Sequence, residues 1–283
     1  MSIQEICRVA RNEQLGAGLY RLVLDAPQII AAAQCGQFVH IACGEGNMLR
    51  RPISICLAED GALHIVFQIK GSGTEWLAAR KEGDTLDVLG PLGHGFDVTA
   101  LGAKPVFLGG GIGVPPMLQT AKCAKAAGAA PRAVLGFRNQ GAVILENEFR
   151  AVCETFVTTD DGSYARHGFV TDVLKELVAD ATGVAACGPK PMLKAIAAIA
   201  KDAGLPCQVS MEERMAAESA RAWCARARSK RKTVKPDTGT SARTARCSTQ
   251  RRSSGNGGSE SQFLRRRTQK PGDDRVRHLR LRP

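Results

Sequence analysis

Pro105-Val-Phe-Leu-Gly-Gly-Gly-Ile-Gly-Val-Pro-Pro116 is the stretch that decides the fold. Its first four residues form a short apolar run of the kind that builds a buried strand. The glycine run Gly109 to Gly113 ends that strand and opens a helical stretch, Pro115 to Gly128. Strand, glycine turn and helix in this order imply a unit of a parallel α/β sheet. Glycines let a backbone approach a pyrophosphate, and a helix N-terminus offers free N–H donors. The run lacks the full G-x-G-x-x-G fingerprint, so a dinucleotide site and a tight turn both remain open on these residues alone.

The α/β pattern continues on the C-terminal side. Strands are expected at Ala133–Phe137, Thr155–Thr158 and Gly183–Ala186, and helices at Val170–Asp180 and Met192–Ala203. Cys187-Gly188-Pro189 falls where the last of these strands hands over to a helix, at the C-terminal sheet edge where open α/β sheets bind ligands. By itself Cys187 reads as a small buried thiol.

Residues 1–100 have a different texture. Short apolar, β-branched runs recur at Gly18–Leu24, Gln37–Ala42, Ile53–Leu57, Leu63–Ile69 and Thr85–Leu89, separated by turn residues. Asp60-Gly61 marks a tight hairpin. The pattern breaks at Pro91, Gly93 and Gly95, and it implies an antiparallel barrel or sandwich. Within it, Arg51-Pro52-Ile53-Ser54 offers a forked cation for phosphate and a hydroxyl for a ring or ribose oxygen. A string of four is weak, since most surface arginines are merely solvated. Gly71-Ser-Gly73-Thr74 follows Val66-Phe67-Gln68 and precedes a helix expected at Glu75–Lys81, a second candidate phosphate site.

The chain has 283 residues, ten of them cysteine, and a net charge of +12. The charge is uneven. Residues 216–283 hold 19 Lys+Arg against 5 Asp+Glu, so the remainder is close to neutral. That tail lacks apolar periodicity and is expected to be disordered. A basic tail of this kind suggests a nucleic-acid arm or a membrane-surface patch. Only Trp223 and Phe263 interleave its basic residues, which disfavours base recognition. No apolar run is long enough to span a membrane, and the start lacks the form of a signal peptide. Scattered cysteines then suit a reducing cytoplasm. The histidines His40, His64, His94, His167 and His278 show no metal spacing, and Glu212-Glu213 reads as a solvated acidic pair.

Taken together and in order, Arg-Pro-Ile-Ser, Gly-x-Gly-Thr, Leu-Gly-Pro-Leu-Gly, Gly-Gly-Gly-Ile-Gly-x-Pro-Pro and Cys-Gly-Pro-x-Pro-Met resemble the ferredoxin-reductase superfamily. Within it, residues 1–215 are most similar to the electron-transfer subunit of NAD-dependent dihydroorotate dehydrogenase. The resemblance implies a Greek-key β-barrel flavin domain (1–100), an α/β nucleotide domain (101–215) and no catalytic base. It implies FAD held by Arg51, Pro52, Ile53, Ser54, Val66, Phe67, Gln68, Gly73 and Thr74. Gln68 stands where this family often carries a basic residue. Gly109, Gly110, Gly111, Gly113, Cys187, Gly188 and Pro189 would face NAD. The implied role belongs to pyrimidine biosynthesis. Electrons from dihydroorotate, oxidised at the FMN of a partner subunit in a two-plus-two heterotetramer, pass through a [2Fe–2S] centre to FAD and then to NAD⁺. A related flavin subunit serving a hydrogenase or sulfite reductase is the alternative within the superfamily. A nucleic-acid-binding protein is the alternative of another class.

The tail departs from this pattern. After Val209-Ser-Met-Glu-Glu-Arg-Met215 the family continues with four cluster-binding cysteines, as a [2Fe–2S] centre requires. This chain has only Cys224 and Cys247 there. A shift of reading frame at Ala216/Ala217 accounts for the loss. A T placed before an alanine codon gives TGC, and Ala217, Ala222 and Ala225 then yield C-x4-C-x2-C, with Ala242 yielding the later cysteine. In the remaining frame, residues 269–282 can read Lys-Asn-Pro-Val-Met-Thr-Ala-Ser-Gly-Thr-Phe-Gly-Ser-Gly, which resembles the start of the dihydroorotate-oxidising subunit. The tail's basic charge is then an accident of GC-rich DNA read out of frame.

Overall fold

The computed structural model describes residues 2–210 and 224–226. The first part is a closed six-stranded barrel of order β1-β2-β5-β4-β3-β6. Its strands are β1 (Ile3–Gly16), β2 (Leu19–Asp25), β3 (Phe38–Ile41), β4 (Arg51–Glu59), β5 (Ala62–Gln68) and β6 (Thr85–Leu92). Helix α1 (Pro27–Ala32) lies between β2 and β3, and α2 (Ser72–Ala78) between β5 and β6. Every barrel ladder is antiparallel. Alternate side chains turn inward: Leu22, Leu24, Val39, Ile41, Ile53, Ile55, Leu63 and Ile65 fill one core. The hairpin expected at Asp60-Gly61 forms. Both residues take positive φ, as a two-residue turn matched to strand twist requires, and Glu59 pairs with Ala62.

The second part is a sheet of order β10-β9-β8-β7-β11-β12-β13. Its elements in chain order are β7 (Pro105–Gly110), α3 (Val114–Ala126), β8 (Arg132–Phe137), α4 (Glu146–Val152), β9 (Glu154–Thr159), β10 (Arg166–His167), α5 (Val170–Leu177), β11 (Gly183–Cys187), α6 (Lys190–Asp202), β12 (Cys207–Ser210) and β13 (Cys224–Arg226). All ladders are parallel except that of β13 on β12. Both faces are covered. Phe107, Leu135 and Ala185 pack with Met117, Leu118 and Phe149 on one side. Val106, Leu108, Val134 and Val184 pack with Val173, Leu174 and Ile196 on the other.

Several expectations need correction. The long β1 departs from the expected pattern, because of its fourteen residues only Cys7 and Val9 are buried and polar residues interrupt any apolar run. Strand β6 runs past Leu89 to Leu92. Helix α2 starts at Ser72 rather than Glu75. The Thr74 hydroxyl folds back on the start of the helix, accepting from the amides of Lys70 (2.8 Å) and Gly71 (3.2 Å). The pair Glu212-Glu213 and the tail lie outside the described residues, save for the short edge strand β13. Among the described residues no helix is long and apolar enough to cross a membrane.

Candidate functional site

Two clefts receive the residues singled out from the sequence. The first is a fork in the barrel. The ladder between β4 and β5 runs from Glu59↔Ala62 to Ile55↔Ile65, and there it stops. Beyond it Arg51–Ser54 pair with β3, while Val66, Phe67 and Gln68 pair with β2. The two strands therefore part, and their facing edges present main-chain polar groups to whatever lies between them. Pro52, which has no N–H, is tolerated because β4 has left its β5 ladder there.

Arg51 sits at the mouth of this fork. It donates from Nη1 to Leu49 O (2.5 Å) and from Nη2 to Asn47 Oδ1 (3.1 Å). Ser72 donates to the same Asn47 oxygen (2.8 Å), so Asn47 ties the arginine to the start of α2. Gly73 makes room for the guanidinium. A Cβ on this glycine would lie 2.7 Å from Arg51 Cζ, so the guanidinium crosses the helix at the one residue without a side chain. Ser54 is half-buried and Pro52 exposed, both on the outer barrel face, whereas Ile53 belongs to the barrel core. Val66 and Phe67 are buried in the protein's own cores, Phe67 stacked on Tyr20, so these two have only main chain to offer. Gln68 is exposed.

The second cleft is at the carboxyl edge of the sheet, between β7 and β11. From β7 the chain builds outward through β8 and β9, then crosses back to place β11 on the other flank of β7. The strand order thus reverses between β7 and β11, the position where open α/β sheets leave a crevice. Gly109 and Gly110 end β7, and Gly111–Gly113 form a tight turn into α3. Cys187 ends β11 opposite Gly109, and Pro189 caps α6. The two loops touch. A Cβ on Gly113 would stand 2.7 Å from the Gly188 nitrogen, and one on Gly110 would stand 2.5 Å from Met192 Sδ. Cys187 is almost fully buried.

The clefts adjoin. The Gly111–Gly113 turn packs beside β5, and one apolar cluster joins Cys56 and Val66 of the barrel to Val114, Met117 and Cys187. Two ion pairs close the same boundary: Lys122 on α3 with Glu59 at the end of β4 (2.6 Å), and Arg21 on β2 with Glu148 on α4 (2.5 Å). Asn47 has no motif to mark it, and Met192 is marked by its motif but not by its contact with Gly110. Their positions follow from approaches between distant segments that no local pattern marks.

These clefts fit an extended dinucleotide. One offers a preset guanidinium and open strand edges, and the other two loops packed on each other through glycine, with open space at Gly111. An iron–sulfur centre is not fitted by the described residues. The eight cysteines of residues 2–210 are free thiols, and among the described residues no three His, Cys, Asp or Glu side chains converge as a metal would need.

No protein-family model matches the chain. Curated relatives do. The chain is 41% identical over 218 residues to the electron transfer subunit of dihydroorotate dehydrogenase B (NAD(+)) from Geobacillus thermodenitrificans (strain NG80-2), covering 75% of this chain and 84% of the relative. It is 40% identical over 222 residues to the same subunit from Fusobacterium nucleatum, covering 75% and 85%. Among solved structures it is similar to an NADH-dependent reduced ferredoxin-NADP oxidoreductase, described for flavin-based electron bifurcation. The TM-score is 0.68 at 28% identity, over 75% of this chain and 78% of that one. The cytochrome b5 reductase domain of Ulva prolifera nitrate reductase shares the fold, with a TM-score of 0.59 at 19% identity over 72% and 94% of the two chains. With a forked barrel and a switch-point crevice side by side, and relatives at this identity over most of their length, this chain belongs to the family of electron transfer subunits of dihydroorotate dehydrogenase B, an NAD-dependent oxidoreductase.

Proposed function

We propose that the barrel fork holds FAD, that the switch-point crevice holds NAD rather than NADP, and that the chain passes electrons between them in the cytoplasm. The observation that carries this reading is the contact between the Gly111–Gly113 turn and β5, which sets the two clefts edge to edge. A bound flavin supplies the exchange of a hydride with nicotinamide. The chain's own residues do the rest. Arg51, held by Asn47 and Leu49, directs its remaining donors at a diphosphate. Ser54 and the main chain of Pro52, Ile53, Val66, Phe67 and Gln68 line the ring and ribityl side, and Gly73 and Thr74 shape the phosphate turn. Gly109, Gly110 and Gly113 let the two loops pack against their neighbours, and Gly111, which faces open space, would admit the second dinucleotide close to backbone. Cys187, Gly188 and Pro189, at the end of β11, would hold its nicotinamide end.

The expected partner is an FMN-bearing catalytic subunit that oxidises dihydroorotate, two copies of each forming the assembly, with no nucleic acid or membrane involved. The match leaves part of the relative uncovered, and the family's cluster segment is assigned to that part. In this chain residues 216–283 stand in its place as an out-of-frame, strongly basic sequence. The chain as written therefore exchanges electrons between NADH and its flavin but has no cluster through which to reach the partner. Resequencing the locus tests the tail, and an unambiguous read of the present frame overturns that half of the proposal. Iron and acid-labile sulfide at about two of each per chain also overturn it.

A further inference from the structure

We infer that Gln208 is a positioning residue for electron passage between the two clefts. It acts through the linker that leaves the barrel for β7, fixes the α/β domain at one angle to the barrel, and so sets how the nicotinamide nucleotide meets the flavin. The inference deepens the reading of the two clefts given above and rests on it.

Strand β6 ends at Leu92 and β7 begins at Pro105. Two buried glutamines hold the first residues between them, one from each domain. Gln208 on β12 accepts at Oε1 from the Asp97 amide (2.9 Å) and donates from Nε2 to Asp97 O (2.8 Å). Its amide is thereby paired with both main-chain groups of one residue, as a neighbouring strand would be. Gln208 is only 7% exposed, so water has little access to take over either bond. Gln37 is the counterpart in the barrel: it donates from Nε2 to Gly93 O (2.8 Å) and accepts at Oε1 from the Gln34 amide (2.7 Å).

Between these two anchors the linker is bonded to the barrel turn before β3. The Phe96 amide donates to Cys35 O (2.9 Å), and the Cys35 thiol donates to Phe96 O (3.5 Å). The Phe96 ring lies against Gly36, where φ is 83° and the missing Cβ leaves it room. Both ends of the stitch reach a cleft. Gln208 pairs with Ala185 on β11, two residues before the pairing of Ser210 with Cys187 at the crevice. Gln37 O accepts from the Ile55 amide (3.0 Å), and the next residue, Phe38, pairs with Ser54 in the fork.

The other contacts between the domains are of a different kind. The apolar cluster is non-directional, and the ion pairs are partly solvated. They hold the domains together without fixing an angle. Paired hydrogen bonds do fix one, because each weakens steeply off its line. The angle matters, since a displacement of about 1 Å between reacting groups can cost about a hundredfold in rate. The Gln208 side chain is engaged with Asp97 rather than with either cleft. Its loss should therefore slow the transfer and leave both affinities in place.

The test compares the full chain with Gln208→Leu, which removes both bonds at similar volume, and Gln208→Asn, which keeps the amide but is one methylene short. Thr99→Val is the control, because the Thr99 hydroxyl bonds Asp97 Oδ1 within the linker (2.7 Å) and joins it to neither domain. Stopped flow follows flavin bleaching by NADH in the FAD-reconstituted chains, and hydrogen exchange is measured on the same chains before FAD is added. In both Gln208 variants the limiting bleaching rate should fall about tenfold to a hundredfold, with the Kd for FAD and the half-saturating NADH concentration within about twofold of the unaltered chain. The Phe96 and Asp97 amides should exchange about tenfold faster or more. Thr99→Val should match the unaltered chain in rate. Should Gln208→Leu fail to fold, Gln208→Asn decides. An unchanged limiting rate, unchanged exchange at the linker, or a rate loss matched by flavin release would each overturn the inference. An unaltered chain that binds both nucleotides and does not bleach would overturn the reading of the clefts and this inference with it, whereas Gln208 variants that bleach as fast as a bleaching parent overturn the inference alone.

Discussion

Gly113 and Cys187 pack backbone against backbone, so that a methyl group on the glycine would meet the Cys187 carbonyl carbon at 2.5 Å. That contact holds the two glycine loops of the switch-point crevice together. Its obstacle is main chain, which cannot swing aside as a flexible side chain would. Gly113→Ala should therefore force the loops apart. The expected outcome is a KM for NADH raised by about tenfold to a hundredfold, with flavin content unchanged. Steady-state reduction of an artificial electron acceptor measures it.

The Arg51 fork makes a separate prediction about the barrel. Arg51→Ala should raise the Kd for FAD by about tenfold or more, the loss of a charge-assisted hydrogen bond. Arg51→Lys should not restore it, because an ammonium cannot reproduce the fork that serves Asn47, Leu49 and a phosphate together. Gly73→Ala should act in the same direction by displacing the guanidinium. Flavin retained after ultrafiltration reports all three.

The two ion pairs between the domains should both contribute little. Lys122 and Glu59 are 39% and 37% exposed, and a double-mutant cycle should return less than about 1 kcal/mol. Arg21 is only 18% exposed. Glu148 is 38% exposed and stays solvated, so Arg21→Ala should cost about 1 kcal/mol in urea denaturation, chiefly through the packing of the more buried arginine.

Burial sets the acid sensitivity of the barrel. It holds the imidazoles of His40 and His64 below the ordinary 6.5, with Arg50 beside His40 and Arg21 and Lys122 beside His64 acting in the same direction. Below pH 6.5 the unfolded chain takes up protons that the folded chain refuses. Stability present above that pH is therefore lost as pH falls toward the folded-state values. His64→Gln should flatten this slope, as measured by denaturation midpoints between about pH 5 and pH 7.

Much of this molecule is legible in its sequence, for definite reasons. Strand β7 is a continuous apolar run buried on both faces, β5 is bounded by turn residues, and Asp60-Gly61 carries its turn geometry in its residue types. The glycine loops are legible because their motifs sit at strand-to-helix junctions. Strand β1 is not, since only Cys7 and Val9 of its fourteen residues are buried and polar residues are scattered along it. Helix α4 is not, since it is short and begins after Leu145 in a left-handed conformation with no capping side chain. Asn47 and Met192 act on Ser72 and Gly110. Relations between segments that far apart in sequence leave no periodic trace.

The most direct test of electron passage between the two clefts is anaerobic mixing of the FAD-reconstituted chain with NADH, followed at the flavin band near about 450 nm. The account predicts that the band bleaches with one equivalent of NADH, without added partner subunit and without iron. A chain that takes up FAD stoichiometrically yet keeps its full absorbance in excess NADH would contradict it.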